Sequence, residues 1–460
     1  MAQKVVIVGN GPAGMSAAGA ARLADRSAEI IVIDTKEYDT YHPCAMPFVI
    51  GGYLPSVDSI IEKLGYERSK IQLYKKSFVE SVDPKAKKII FKDADNAEQE
   101  LDFDKLILCT GSKVFIPPIP GKDLQNVFSL KFAEDAAAIK DAVSASEVQK
   151  IVVVGGSAIG IEVSSELVHL GKEVTIVEMQ PQLMPFKTTK SFAKNVETKL
   201  AETGLIIKTG MMVKEIIGKE KVQKISFGND DATETIDADV VVLATGVRSN
   251  TELAQKIGIK ISDKTRAIDV NERMETSITD IYAAGDCVTV KDLVTNTKTL
   301  ALLAGPAVRQ GRIAGINAVG GSESYPGSVN SFIVSSRTFF VGIAGINNEQ
   351  AEELGIETVS ASITAPIIPH YMPDSKEITI KMTAKLDDGK ILGAEVIGEE
   401  KVDANVNYVA MALQTGLTVY DLMNIDFCYA PAVAETIYPI VKVTDAIIRK
   451  ISRKKAKASK

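Results

Sequence analysis

The stretch KVVIVGNGPAGMSAAGAARLA, residues 4–24, joins a β-branched run to an alanine-rich segment through a glycine turn. The first part predicts a buried strand and the last part a helix. Gly9, Gly11 and Gly14 match the G-x-G-x-x-G fingerprint, whose glycines permit a tight turn, approach of a pyrophosphate and close helix packing. The next strand, EIIVID, ends at Asp34, where a carboxylate can accept hydrogen bonds from ribose hydroxyls. The stretch therefore predicts a Rossmann-type nucleotide site.

The same pattern occurs again further along the chain, in KIVVVGGSAIGIEVSSELVHLGKEVTIVE, residues 150–178. Gly155, Ser157 and Gly160 take the three glycine positions, and Glu178 ends the second strand. Ser157 departs from the fingerprint but is small enough to leave the backbone approachable. The repeat predicts a second dinucleotide site.

Each half closes with a strand that enters a Thr-Gly turn, in FDKLILCTGS and in ADVVVLATGV. The first turn is formed by Thr110 and Gly111, and the second ends at Gly246. A third element, TSITDIYAAGDCVTV, places Gly285 and Asp286 just after a strand. Asp286 is therefore positioned to reach a cofactor from the opposite side.

Composition excludes several classes of function. The chain has 460 residues, 45 % of them hydrophobic, which is enough for two or three domains with their own cores. The formal net charge is −6 although residues 449–460, RKISRKKAKASK, carry seven positive charges. The body is therefore acidic, which excludes nucleic acid as its partner. We predict that the basic tail, residues 449–460, is disordered and solvated.

The four cysteines lie far apart without C-x-x-C spacing, and no charged and apolar leader precedes the first strand. These features predict a reducing, cytoplasmic location and no metal site. A membrane helix needs roughly 20 apolar residues, and no run in the sequence approaches that length. A membrane span is therefore not expected.

The paired fingerprints, the two Thr-Gly turns, IYAAGD and the downstream LALLAGPAVRQGRIAGINAVGG resemble, in this order, the FAD-dependent pyridine nucleotide-disulfide oxidoreductases. The resemblance covers nearly the whole chain. It implies an α/β fold with two Rossmann-like domains, the NAD domain inserted in the FAD domain, and a C-terminal α+β dimerisation domain in a homodimer. The implied domains are FAD-binding (1–112 and 247–325), NAD(P)H-binding (113–246), dimerisation (326–448) and the basic tail (449–460).

The resemblance implies that the first fingerprint binds FAD, with Asp34 at the ADP half and Asp286 at the ribityl chain. It implies that the second fingerprint binds the nicotinamide nucleotide. Glu178 favours NADH, because an acid accepts the ribose 2′-OH and repels a 2′-phosphate, and NADPH stays open as the alternative. The implied cofactor-binding residues are Gly9, Gly11, Pro12, Ala13, Gly14, Asp34, Thr110, Gly111, Gly155, Ser157, Ile159, Gly160, Glu178, Gly246, Gly285 and Asp286.

A single cysteine, Cys44, follows the first domain's ribose acid in the segment TYHPCAMPFVIGG, residues 40–52. Members with a dithiol relay carry two cysteines four residues apart, and no second cysteine follows Cys44. The segment instead resembles the single-cysteine branch, which includes coenzyme A-disulfide reductase, NADH oxidase, NADH peroxidase and polysulfide or persulfide reductases. In that branch the sulfur cycles between a thiolate and a mixed disulfide, a persulfide or a sulfenic acid.

The prolines and glycines around Cys44 predict a short helix that begins at Pro43 and ends at Gly51. Its unpaired N–H groups favour a thiolate, so we predict that the pKa of Cys44 lies below the usual value of about 8.5. His42 either stabilises that thiolate or protonates a leaving thiol, or it is a solvated loop residue. Cys109 and Cys287 are expected to be buried packing residues.

The C-terminal domain of coenzyme A-disulfide reductases carries two tyrosines that reach the partner's cysteine. Their surroundings resemble PHYMPDSKEITIKM and DFCYAPAV, which gives Tyr371 and Tyr429 as catalytic candidates. A phenolic O–H can donate a hydrogen bond to a departing thiolate, and packing at an interface is the alternative role. Cys428 is either a resolving thiol or a side chain that points away from its neighbour.

Two further features bear on the substrate. Peroxidase and oxidase relatives carry a histidine in the first glycine turn, whereas this chain has Asn10, Pro12 and Ala13 there, which disfavours hydrogen peroxide. Coenzyme A, as substrate or bound thiol, requires cations for its phosphates. The candidates are Arg22, Arg26, Lys63, Arg68 and Lys70.

The sequence thus predicts an FAD flavoenzyme that passes electrons from NADH to Cys44, which reduces a small thiol-derived disulfide, persulfide or polysulfide. One alternative is an NADH oxidase or peroxidase with Cys44 as a sulfenic acid. Another is an electron-carrier reductase that does not need Cys44. The last is a non-enzymatic, nucleotide-sensing flavoprotein.

Overall fold

The computed structural model describes residues 2–458. Its helices are α1 (Pro12–Ala24), α2 (Met46–Ile50), α3 (Ala133–Ser144), α4 (Ala158–His169), α5 (Lys190–Glu202), α6 (Glu252–Lys256), α7 (Ala304–Ala318), α8 (Asn348–Glu353), α9 (Val402–Thr415), α10 (Val419–Met423) and α11 (Pro439–Ala458). Short 3-10 helices cover Pro43–Ala45 and Val57–Ile60.

The strands of the first half are β1 (Lys4–Val8), β2 (Glu29–Ile33), β3 (Thr40–Tyr41), β4 (Ile61–Glu62), β5 (Ile71–Tyr74), β6 (Phe78–Asp83), β7 (Lys88–Lys92), β8 (Glu98–Asp102), β9 (Lys105–Leu108), β10 (Ser112–Val114), β11 (Val127–Ser129), β12 (Lys150–Val154), β13 (Glu173–Glu178) and β14 (Ile206–Thr209). Those of the second half are β15 (Met212–Gly218), β16 (Val222–Gly228), β17 (Thr233–Asp237), β18 (Val240–Leu243), β19 (Val247–Ser249), β20 (Ile268–Asp269), β21 (Ile281–Ala283), β22 (Val288–Lys291), β23 (Lys298–Thr299), β24 (Phe332–Ser335), β25 (Phe340–Gly345), β26 (Thr358–Pro366), β27 (Glu377–Lys385) and β28 (Ile391–Gly398).

Two parallel five-stranded sheets form the nucleotide-binding architecture. The first has the order β21-β9-β1-β2-β5 and the second the order β11-β18-β12-β13-β14. Their central strands are continuous β-branched runs that are buried along both faces, as expected of parallel sheets covered by helices. The predicted pair of Rossmann-like folds is confirmed.

Along the chain, the strands of the second sheet come between two groups of strands that belong to the first sheet. The strand β21 joins the first sheet although it follows every strand of the second sheet in the chain. The antiparallel pair β10–β19, with Ser112 opposite Ser249, carries the chain out of the first unit and back into it. Arg248 stacks over the Phe115 ring beside this pair, 3.8 Å from the ring centroid. This order is that of a domain inserted in another domain.

The glycine turns bring helix and strand backbones into direct contact. A Cβ atom on Gly14 would lie 1.9 Å from the carbonyl oxygen of Gly9, and one on Gly160 would lie 1.9 Å from that of Gly155. The helix α7, from the LAGPAVRQGRIAGINAVGG motif, crosses α1 equally closely, since a Cβ on Gly311 would lie 2.0 Å from the carbonyl oxygen of Ala13. Glycine is therefore required at each crossing.

The C-terminal part forms an antiparallel sheet in the order β24-β25-β28-β27-β26. The helix α9 packs on β25 and β28, and α11 packs on β26 and β27. The buried side chains of α9 and α11, among them Val409 and Ile447, join the core of this sheet. The predicted α+β architecture of this region is confirmed.

The prediction of a disordered basic tail was wrong for residues 449–458, which continue α11. Ile451 extends the buried stripe of Ile447 by one turn and is itself buried. The ammonium groups of Lys450 and Lys454 donate to the carbonyl oxygens of Ser360, at 2.7 Å, and Thr358, at 3.3 Å. Cations also suit the last turn of a helix. The tail's last two residues, 459 and 460, lie outside the described part of the chain.

Within residues 2–458, none of the helices combines the length and the apolar character that crossing a bilayer requires. The same part of the chain brings together no group of three or more histidine, cysteine or acidic side chains able to hold a metal ion.

The close crossing at Gly14 predicts opposite effects for two alanine substitutions in α1. Gly14→Ala places a methyl group against backbone and should destabilise the protein by at least about 2 kcal/mol. Gly19→Ala meets nothing within 4 Å and should stabilise the helix by roughly 0.5–1 kcal/mol. Denaturant unfolding of both variants checks this, and equal stabilities would contradict the proposed constraint.

Candidate functional site

Cys44 lies in the 3-10 helix Pro43–Ala45, directly before α2. Pro43 occupies the first helical position, and the backbone N–H of Gly51 donates to the Pro47 carbonyl oxygen where the segment ends. The predicted short helix is therefore present, and the Cys44 side chain is exposed to solvent.

The prediction that the pKa of Cys44 is lowered was wrong: the groups of this chain raise it. Desolvation by the surrounding protein raises the pKa of this thiol, and the carboxylates of Glu162 and Asp286 raise it further. The thiol is reached by solvent yet crowded by protein on its other sides, so both observations hold together. We call Cys44, Glu162 and Asp286 the Cys44 cluster.

His42 does not contact Cys44. Its Nε2 atom lies 3.1 Å from the Glu62 carboxylate, and both side chains are more than half exposed. The structure therefore favours the solvated-loop alternative for this histidine.

Asp286 is anchored by side chains from the inserted-domain connection. The Ser112 hydroxyl donates to its carboxylate at 2.8 Å, and Lys131 Nζ donates to the same hydroxyl at 2.9 Å. Burial lowers the pKa of Lys131, and Asp286 opposes that shift. Lys131 was not predicted as a site residue, because it follows the short strand β11 and belongs to no recognised motif.

The first glycine turn fits a dinucleotide. Gly9 has a φ of +98°, and a Cβ on Gly11 would meet no atom within 4 Å. Asp34 is buried and accepts hydrogen bonds from the N–H of Asn10 and from the backbone and ammonium groups of Lys36, the last at 2.7 Å. The open glycine leaves helix N-terminal N–H groups as donors for a pyrophosphate, and the ordered acid beside it is the acceptor that ribose hydroxyls need.

The second turn reproduces this geometry. Ser157 has φ −84° and ψ −175°, against −82° and −169° for Gly11, so serine adopts the same backbone conformation. The buried carboxylate of Glu178 accepts the N–H groups of Gly156 and Gln180, each at 2.7 Å. These residues also fit a dinucleotide.

The other predicted contacts flank these turns. Pro12 and Ala13 begin α1, and Ile159, in the first turn of α4, is 39 % exposed. The Thr110 hydroxyl donates to the Asn250 carbonyl oxygen at 2.7 Å. Positive φ angles occur at Gly111, Gly246 and Gly285.

Tyr371 and Tyr429 come together on the C-terminal domain. A hydrogen bond between the two phenols, followed by desolvation, raises the pKa of Tyr371, and both side chains are exposed. Neither is among the groups that act on Cys44 of the same chain. Cys428 faces the Tyr438 hydroxyl instead, at 3.8 Å.

Two glutamates of α4, Glu162 and Glu166, were not predicted as site residues from the sequence. A Glu162 oxygen accepts the N–H of Ser335 at 3.2 Å, and Glu166 pairs with Arg337 at 3.1 Å. The available signal was their i, i+4 spacing within GIEVSSELV, which puts both acids on one face of a largely buried helix.

Arg22, one of the predicted cations for coenzyme A, is engaged within the protein. The Arg22 guanidinium donates to the carbonyl oxygens of Ser69 and Lys70, both at 2.8 Å, and of Arg26 at 2.9 Å. The side chains of Arg26, Lys63, Arg68 and Lys70 are exposed. Cys109 and Cys287 are buried, as predicted.

Two protein-family models match the chain. The model described as pyridine nucleotide-disulphide oxidoreductase matches residues 3–311. The model described as the dimerisation domain of pyridine nucleotide-disulphide oxidoreductases matches residues 334–439.

Known proteins resemble the chain along nearly its full length. A protein from Methanocaldococcus jannaschii named NADH oxidase is 37 % identical over 98 % of this chain and 100 % of its own length. The CoA-dependent NAD(P)H sulfur oxidoreductase of Pyrococcus abyssi is 31 % identical over 95 % of this chain and 96 % of its own. The solved structure of an NAD-dependent persulfide reductase from A. fulgidus superposes with a TM-score of 0.93 at 31 % identity, covering 97 % of this chain and 83 % of that one.

Proposed function

This chain belongs to the pyridine nucleotide-disulphide oxidoreductase family, and we propose that it is an FAD-dependent NAD(P)H oxidoreductase acting through Cys44. The acceptor is a small thiol-derived disulfide, persulfide or polysulfide. The observation that carries the proposal is the solvent-exposed Cys44 at a helix start, whose thiol interacts with the carboxylate of Asp286 from the IYAAGD motif. Relatives named sulfur oxidoreductase and persulfide reductase support this choice of acceptor.

We assign each nucleotide to the turn that it fits. FAD would be held by the turn Gly9 to Gly14, by Asp34 and by Asp286, and the nicotinamide nucleotide by the turn Gly155 to Gly160 and by Glu178. When bound, the two nucleotides would supply hydride transfer and an electron pair for the sulfur of Cys44. The domain boundaries at residues 112, 246 and 325 belong to the same proposal.

The chemistry assigned to the protein itself is thiol–disulfide exchange. The Cys44 thiolate attacks one sulfur of the acceptor, a new S–S bond forms to Cys44, and the other sulfur leaves as a thiolate. Because desolvation and carboxylates raise the Cys44 pKa, the thiolate must be stabilised by a proton or positive charge brought close to it.

The tyrosine pair is assigned to a homodimer. The exposed and hydrogen-bonded phenols of Tyr371 and Tyr429 would face the Cys44 cluster of the other chain and donate to the departing sulfur. The match of residues 334–439 to a dimerisation domain supports this assembly. A cytoplasmic location, suited to a reduced Cys44, completes the proposal.

An NADH oxidase is the second candidate, because the Methanocaldococcus relative carries that name. In this case Cys44 would cycle through a sulfenic acid. The first turn contains Asn10, Pro12 and Ala13 and lacks the histidine of peroxidase and oxidase relatives. The Asn10 amide is engaged, since Nδ2 donates to the Asp39 carbonyl oxygen and Oδ1 accepts from Tyr66, each at 2.8 Å.

The two exposed cysteines provide a matched test. Cys44→Ser should abolish NADH-dependent reduction of coenzyme A disulfide and of polysulfide, while flavin reduction by NADH persists. Cys428→Ser should keep both activities within about twofold, because its sulfur faces Tyr438. Anaerobic steady-state assays with each acceptor, and oxygen uptake per NADH in air, check this. Full disulfide turnover by Cys44→Ser would contradict the proposal. Acceptor-independent consumption of one oxygen for every two NADH, as reduction of oxygen to water through a Cys44 sulfenic acid requires, would favour the oxidase.

Glu178 should set the choice of nucleotide. Glu178→Gln removes the negative charge that repels a 2′-phosphate, so the NADPH-to-NADH ratio of kcat/KM should rise by roughly tenfold, which corresponds to about 1.4 kcal/mol. The exposed Glu202 provides the control variant Glu202→Gln, which should leave the ratio unchanged. An unaltered ratio in Glu178→Gln would show that this acid does not read the ribose.

A further inference from the structure

Glu162 is a carboxyl group without a cation of its own. Among the ion pairs of residues 2–458, Arg337 pairs with Glu166, one helical turn away, and none includes Glu162. Arg337 also stacks on the Tyr53 ring at 5.2 Å. The polar contact that Glu162 does receive is the Ser335 N–H, from the end of β24. Glu162 therefore meets one neutral donor and no compensating charge.

This environment places the titration of Glu162 near neutrality. Desolvation raises its pKa to about 7, the neighbouring Glu166 adds to the rise, and the Ser335 N–H opposes it. An ordinary glutamate, by comparison, has a pKa of about 4.3. Glu162 can therefore both accept and release a proton at neutral pH.

The packing of α4 on α2 brings Glu162 to the segment that carries Cys44. The backbone of Gly51, at the end of α2, lies directly against the Glu166 side chain, one turn from Glu162. After desolvation, the Glu162 carboxylate is the group that raises the pKa of the Cys44 thiol most, ahead of Asp286. Like charges that interact oppose each other's formation, so ionisation of the thiol is favoured when Glu162 is neutral. The two groups therefore titrate as a pair.

We propose that Glu162 holds the proton that Cys44 gives up and passes it to the sulfur that leaves the acceptor. The proposal deepens the proposed function and rests on it. Glu162 is thus assigned as a catalytic acid within the same chain as its cysteine.

The proton and electrons balance in two steps. In the first, Cys44–SH and Glu162–COO⁻ become Cys44–S⁻ and Glu162–COOH. In the second, Cys44–S⁻ attacks R–S–S–R, the acceptor's S–S bond breaks, and the leaving RS⁻ takes the Glu162 proton, which gives Cys44–S–S–R, RSH and Glu162–COO⁻. The electron pair that the proposed activity supplies, together with two solvent protons, then reduces Cys44–S–S–R to Cys44–SH and a second RSH.

Other candidates near Cys44 are committed elsewhere. His42 contacts Glu62, and Lys131 is a donor to Ser112. The charged and titratable groups that face the pair or its immediate neighbours are Glu166, His169, Arg337, Tyr53, Asp286 and Lys131. Of these, Glu166 is held by Arg337 and Asp286 by Ser112. Glu162, by contrast, has no cation or side-chain donor of its own among the described residues, so it is the acid that can hold the proton.

Leaving groups of different basicity test the proposal on the flavin-loaded protein. With 2-hydroxyethyl disulfide, whose thiolate is basic and needs a proton, Glu162→Gln should lower kcat/KM by roughly 10²-fold, as expected for the loss of a general acid. With 5,5′-dithiobis(2-nitrobenzoate), whose aromatic thiolate leaves unprotonated, the loss should stay within about threefold. Iodoacetamide should alkylate Cys44 at pH 7 at least as fast as in the wild type, because iodide needs no proton.

Glu395 provides the matched control. It is buried on β28, accepts the Thr189 N–H at 2.6 Å, and desolvation raises its pKa to about 7 as well. It does not act on Cys44. Glu395→Gln should therefore show no dependence on the leaving group.

Each outcome decides something. An equal loss with both disulfides, or no loss with either, overturns the role of Glu162 while Cys44→Ser still abolishes turnover. If Cys44→Ser turns over normally, the proposed function itself has failed. Should Glu162→Gln not fold, the wild type decides: between pH 6 and 9 the rate with hydroxyethyl disulfide should fall relative to the aromatic disulfide. A constant ratio of the two rates overturns the proposal.

Discussion

The fold depends on two places where a helix touches the backbone of the strand before it. At Gly14 and Gly160 a Cβ atom would lie 1.9 Å from a carbonyl oxygen of the preceding turn, far inside van der Waals contact. These crossings direct the N-termini of α1 and α4 toward the carboxyl edges of two parallel sheets, where anionic ligands bind. The helix α4 that results also packs on α2, which follows Cys44. One packing constraint thus positions both nucleotide turns and the reactive cluster.

The chemistry of Cys44 follows from a contest between two effects. A helix N-terminus contributes about 0.3–1 kcal/mol in favour of a nearby anion. Desolvation can shift a pKa by up to 3–5 units, and each unit is worth about 1.4 kcal/mol. Desolvation together with Glu162 and Asp286 therefore outweighs the helix, and the pKa of Cys44 is raised. Protonation of Glu162 removes the carboxylate that raises the Cys44 pKa more than Asp286 does. The thiolate of Cys44 then forms more readily.

The parts of the structure that sequence could predict are those fixed by local rules. The glycine turns, the acids Asp34 and Glu178 and the helix after Pro43 follow from steric and hydrogen-bonding requirements within a few residues. The α11 tail was mispredicted because its charges suggested solvation, whereas Ile447 and Ile451 at i, i+4 tie it to the sheet. The positions of Lys131 and Glu162 and the hydrogen bonds of Arg22 depend on contacts between residues distant in sequence. No local pattern predicts such contacts. The pKa of Cys44 was mispredicted for the same reason, because desolvation by long-range packing and then two carboxylates distant in sequence, Glu162 and Asp286, raise it.

The most direct test of Cys44 as the redox centre is an anaerobic NADH titration of the flavin-loaded protein as isolated, with mass spectrometry before and after. We expect the wild type to oxidise one NADH for the flavin and a second for the sulfur adduct on Cys44, with release of a small thiol or sulfide and loss of its mass from the protein. We expect Cys44→Ser to oxidise one NADH and release nothing. Equal NADH consumption by both proteins, after confirming that wild-type Cys44 carries an adduct, would contradict a redox role for this sulfur.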